Sequence, residues 1–152
     1  MQKIALLVLA LSTGAFVHAQ SGSATQVQWT YTAKKISAKV YEIHMTAKIG
    51  PGWHLYSQTA GDGPVSTSFE FTPNPLLTAS GKVKEVGSMK KIFEPAFKSE
   101  VHYYQNSVDF VQTVQLKSAV KTSLAGKVEF MVCNDKECLP PTDVPFSVSI
   151  GS

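Results

Sequence analysis

The chain is 152 residues long and carries 14 Lys and Arg against 11 Asp and Glu, a formal net charge of +3. Every basic residue is Lys, and they are scattered. The bidentate Arg contacts that phosphate and guanine recognition draw on are therefore missing, which argues against nucleic acid as a partner.

Residues 1–19 read as a secretory signal peptide: Lys3 supplies the positive start, an apolar run follows, and Val17-His18-Ala19 has the small-residue form of a cleavage site. The apolar run is too short and interrupted for a membrane anchor. Export as a soluble protein follows, to a periplasm or otherwise outside the cytoplasm, and with it a setting that permits disulfides. Residues 20–26 read as a flexible leader, and residues 27–152 as one domain of ordinary size.

From there the periodicity is that of strands. Val27, Trp29 and Tyr31 alternate with Gln28, Thr30 and Thr32. In YEIHMTAKI, Tyr41, Ile43, Met45, Ala47 and Ile49 share one face over nine residues. Further strands are expected at 69–72, 82–86, 101–104, 108–116, 126–132 and 145–150, with Gly, Pro, Asn and Ser in the gaps and no amphipathic helix. Short strands with turn signals between them predict an all-β fold, an immunoglobulin-like antiparallel sandwich in a single domain.

The last third holds the only cysteines, Cys133 and Cys138, in VCNDKECLPP. In the preceding KVEFMVC, Val128, Phe130 and Val132 share the core face. Strict alternation would turn Cys133 outward at the mouth of a polar loop. Three readings compete. A plain disulfide closing so short a loop would contribute roughly 2 kcal/mol, and the protein would then be a non-catalytic exported binding module. A metal site is disfavoured, because zinc takes four ligands in paired spacings while His44, His54 and His102 are scattered. A redox-active pair needs a reachable sulfur and a second thiol to resolve the mixed disulfide, and two cysteines on a short loop meet both needs.

The residues also carry a resemblance. Cys133-x4-Cys138-Leu-Pro-Pro before a last strand resembles the end of the N-terminal periplasmic domain of the thiol:disulfide interchange protein DsbD. PGWHLYSQ is similar to that family's Gly-aromatic-aromatic-Leu-Tyr segment, and IFEPAFKSEVHYY to its cap-loop region, so that the likeness spans roughly residues 29–150. The resemblance implies a thiol–disulfide interchange component, a protein-disulfide reductase that relays electrons without a cofactor. Its partners would be thioredoxin-like proteins held through transient mixed disulfides, with electrons supplied by a separate membrane transporter. It implies Cys138 as the exchange cysteine and Cys133 as the resolving one. Trp53, His54 and Tyr56 would lie beside the pair, and Phe93 or Phe97 would cap it on a loop hinged near Gly87 and Pro95. The chain departs from the family in three places. It has one residue fewer between the cysteines, His54 in place of a Tyr, and Lys90-Lys91-Ile92 in place of an acidic pair. Lysines on the cap would favour thiolate at the sulfurs.

Overall fold

Alternation of apolar side chains builds the molecule, and the computed structural model, which describes residues 22–151, follows it closely. Strands β1 (Val27–Lys35), β2 (Val40–Ile49), β5 (Leu77–Val86) and β8 (Ser107–Leu116) form one antiparallel sheet in the order β1-β2-β8-β5. Strands β4 (Ser68–Phe71), β9 (Thr122–Phe130) and β11 (Thr142–Ile150) form a second, in the order β11-β9-β4. The inward face expected of β2 is the one observed: Tyr41, Ile43, Met45, Ala47 and Ile49 are all buried. They join Val108, Phe110, Val114 and Leu116 of β8, and Leu124, Val128, Phe130, Phe146, Val148 and Ile150 of the facing sheet, in one core. This is the expected antiparallel sandwich. Among the described residues no helix is long and apolar enough to cross a membrane.

A third sheet sits at one end of the sandwich. It comprises β3 (His54–Tyr56), β6 (Lys90–Glu94), β7 (Ser99–Tyr104) and β10 (Val132–Cys133), in the order β10-β3-β7-β6. Its strands are short, and both of its faces are covered except along the edge strand β6, which is largely exposed. Leu55, Tyr104 and Val132 pack into the main core, whereas Tyr56, Val101, Tyr103 and Cys133 form a second cluster with Ala60. The registers agree with this division, since Leu55 pairs with both Tyr104 and Val132, and Tyr56 pairs with Tyr103.

Two expectations change here. The expected signal peptide and residues 20 and 21 lie outside the described residues. From Gly22, however, the segment expected as a flexible leader forms a turn of 3-10 helix, Gly22–Thr25, docked on the domain. Ser23 is fully buried, donates from Oγ to the Pro140 carbonyl (2.9 Å) and accepts the Val132 N–H (3.1 Å). A buried N–H on so short a strand needs an acceptor, and this hydroxyl supplies it.

The second change concerns Cys133, which is 2% exposed and does not point to solvent. The chain leaves the β11-β9-β4 sheet at Phe130, passes through Met131 and enters the end sheet at Val132. Neighbouring residues of β10 still face opposite ways, but here both directions lead into protein.

Candidate functional site

Cys133 and Cys138 are joined by a disulfide that closes a tight hairpin, with their Cα atoms 4.0 Å apart. The Asn134 N–H donates to the Glu137 carbonyl at 2.9 Å. Asn134 Oδ1 accepts the N–H groups of Lys136 and Glu137, each at 2.8 Å, so one side chain satisfies the interior of the turn. Leu139 N–H returns to the Val132 carbonyl at 3.0 Å, and the docked Ser23 holds the same strand from its other side. The two sulfur-bearing residues differ sharply in exposure. Cys133 is sealed in the second cluster, and Cys138 is exposed.

The cleft over this disulfide has a volume of about 220 Å³ and is lined by the hairpin together with Glu94 at the end of β6 and Ala96 in the turn that follows. The cap therefore presents a carboxylate to the disulfide in place of the lysines expected there. Lys90 is turned aside, its Nζ donating to Gln105 Oε1 at 2.6 Å, and Lys91 pairs along the backbone with His102. Glu94, Asp135 and Glu137 outnumber Lys136 around the cleft, a net negative lining that disfavours a thiolate there.

Aromatic residues supply the rest. His54 is the direct cross-strand partner of Cys133, and its side chain is 5% exposed on the outer face of the end sheet. Its ring lies 4.4 Å from that of Tyr103 and 5.3 Å from that of Tyr56, and Nε2 stands 3.3 Å from the Tyr56 hydroxyl. Burial pulls the His54 imidazole below its ordinary value, with Glu94 and Asp135 acting in the opposite sense. Burial likewise raises the Tyr56 and Tyr103 phenols, reinforced for both by the charge of Glu94.

Of the two phenylalanines considered for the cap, Phe97 packs against the second cluster, 6.1 Å from the Tyr56 ring and seated on Gly63. A Cβ on Gly63 would come within 2.6 Å of the Phe97 ring, and the glycine's φ of +113° suits no other residue well. Phe93 is 66% exposed on the outermost strand and lies outside the cleft. Trp53 sits behind the hairpin, packed on the main core and lining a shallow cleft with Asn134, Asp135 and Lys136. His44 and His102 lie away from the cleft; His44 Nδ1 meets Asp109 at 2.6 Å and His102 Nε2 meets Glu100 at 3.3 Å.

Residues that sequence reasoning passed over also shape the site. Glu85 accepts hydrogen bonds from Ser57 Oγ (2.9 Å), Gln58 N–H (2.6 Å) and Tyr104 OH (2.6 Å), tying the end of β3 to the large sheet. Glu94 and Ser23 are the others.

Chemically, the arrangement leaves one direction of approach. A thiolate from another molecule can reach Cys138 and displace Cys133, whereas direct attack on Cys133 would require opening the cluster.

A family model described as thiol:disulfide interchange protein DsbD, N-terminal, matches residues 20–149. Among solved structures, the chain is similar to the N-terminal periplasmic domain of ScsB from Proteus mirabilis, with 20% identity and a TM-score of 0.61. That likeness covers 80% of this chain but only 45% of that one. It is also similar to the DsbD N-terminal domain of Neisseria meningitidis in the reduced form, with 15% identity and a TM-score of 0.52, over 82% of this chain and 86% of that one. At these identities the structural likeness speaks to the fold. No curated protein matches the chain.

Proposed function

This chain belongs to the family of the N-terminal domain of the thiol:disulfide interchange protein DsbD, and from that premise we propose that it is a periplasmic electron relay. The relay works through Cys133 and Cys138, accepting electrons from one thioredoxin-like protein and passing them to another through mixed disulfides. Cys138 is the sulfur that meets the partner, and Cys133 closes or opens the intramolecular bond. His54, Tyr56 and Phe97 shelter the inner sulfur, with Glu94 and Ala96 over the cleft. The observation that carries this reading is the unequal exposure of the two cysteines in a single tight hairpin. A staple has no need of one open sulfur, but an exchange site does.

The reduction potential tests it. Structural disulfides of exported proteins lie below about −300 mV, and exchangeable ones are more oxidising. Equilibration against a thiol–disulfide buffer, followed by counting free thiols, is expected to place this pair above that range. A value well below it would return the chain to the alternative of an exported binding module with an inert disulfide.

A further inference from the structure

We infer that His54 is the base that takes the proton from the buried Cys133 thiol when Cys133 resolves a mixed disulfide held on Cys138. The inference rests on the relay reading above and assigns a task within it.

In the reduced domain, Cys138 attacks a partner's disulfide and becomes covalently joined to it. Cys133 must then attack Cys138 as a thiolate. At 2% exposure, however, Cys133 has almost no contact with water to receive its proton. The acceptor has to come from the protein. The second cluster surrounds Cys133 with Tyr56, Ala60, Val101, Tyr103, Phe97 and Met131. Of these only the two tyrosines titrate, and burial keeps both phenols protonated at neutral pH. His54 stands directly across the strand pair from Cys133, on the same face, where opposed Cβ atoms are about 5 Å apart. Glu94 and Asp135 also line the cleft, but from the cap and the hairpin loop, whereas His54 is the residue directly paired with Cys133.

The charged and titratable groups facing His54 are Tyr56 on its own strand, Tyr103 on β7, Glu94 on the cap and Asp135 on the hairpin. Burial holds the ring neutral, so a lone pair is ready, while the two carboxylates stabilise the imidazolium once it forms. With the proton on Nε2 directed to the Tyr56 oxygen, Nδ1 carries that lone pair. The step balances as follows. Neutral imidazole receives the Cys133 proton, the Cys133 sulfur bonds to Cys138 Sγ, and the bond from Cys138 to the partner sulfur breaks. The electron pair leaves on the partner's sulfur. The domain's dithiol is oxidised, the partner's disulfide is reduced, and the imidazolium passes its proton to the departing thiolate or to solvent.

Stopped-flow mixing of the reduced protein with a chromogenic aromatic disulfide separates the two events. The first coloured thiolate reports attack by Cys138, and the second reports resolution by Cys133. The second rate is expected to rise with pH to a plateau, with an inflection below the ordinary histidine range that matches the NMR titration of His54. His54→Gln is expected to remove that inflection and slow the second release about a hundredfold, the low end of general-base effects, while changing the first release far less. A second release in His54→Gln within a few-fold of wild type would overturn the assignment. If that variant does not fold, the unmodified protein decides, because a second rate with no inflection at the His54 titration is equally fatal. A normal first release with a His54-independent second sinks this inference alone, whereas no first release sinks the relay reading with it.

Discussion

The two faces of the end sheet are built from alternate residues of the same short strands and do opposite things. Inward, Leu55, Tyr104 and Val132 join the main core, and their only titrating tip, the Tyr104 hydroxyl, is tied to Glu85. Outward, one residue along each strand, Tyr56, Tyr103 and Cys133 belong to the second cluster and His54 lies against Tyr103, and each of these four side chains ends in an atom that can hold a proton or an electron pair. Alternation in three short strands thus separates stability from chemistry by a single residue. On the proposed relay, the division also lets Cys133 resolve a mixed disulfide although it is buried. It is sealed from water but lies beside an imidazole and beneath a single exposed sulfur.

The sharpest way to break this comparison is to cut each face in turn. Leu55→Ala removes a fully buried side chain from the inner face and is expected to cost about 2–5 kcal/mol in urea unfolding. The molecules that remain folded should exchange disulfides at the wild-type rate. A loss of exchange rate in the folded fraction would show that the faces are not separate.

Ser23→Ala comes next. It strands the buried Val132 N–H and is expected to cost about 1–3 kcal/mol. The measurement is again the unfolding midpoint, and an unchanged midpoint would mean that the amino-terminal turn is not holding the hairpin strand.

The smallest effects sharpen the picture of the cap. Phe97→Ala should speed alkylation of Cys133 in the reduced protein several-fold, because the ring seated on Gly63 closes the outer cluster. Phe93→Ala should leave that rate unchanged and alter stability by no more than about 0.5 kcal/mol, as expected for an exposed side chain. Equal acceleration in the two variants would remove the distinction between them.

Much of this architecture was legible in the sequence, for identifiable reasons. Long strands announce themselves, and the nine-residue alternation of YEIHMTAKI fixed the inward face of β2 without ambiguity. The last strand, expected at 145–150, runs from Thr142 with Pro145 inside it, and the cysteine loop was plain from the polar residues between Cys133 and Cys138. The end sheet was only partly so, since residues 101–104 were expected as a strand and lie in β7, but β3 and β6 were not expected. His54–Tyr56 is three residues long, too short for any period to show, and all three side chains are buried. The orientation of Cys133 was misread for a related reason. Alternation carried through KVEFMVC assumes one sheet with one wet face, and the chain changes sheets at Met131. Glu94 and Ser23 owe their positions to contacts made far along the chain, which no local pattern encodes. The likeness of PGWHLYSQ and of the cap region to a known family was what brought His54, Tyr56 and Phe97 into view beside the disulfide.

The most direct test of the account is a paired trap. Cys133→Ser and Cys138→Ser proteins, each mixed with a thioredoxin-like protein that keeps only its attacking cysteine, activated as an aromatic mixed disulfide, would be resolved on non-reducing gels. The account predicts a stable covalent complex with Cys133→Ser, formed through Cys138, and almost none with Cys138→Ser, whose remaining thiol is buried. Equal trapping by both variants, or by neither, would contradict the claim that exchange passes through the single exposed sulfur.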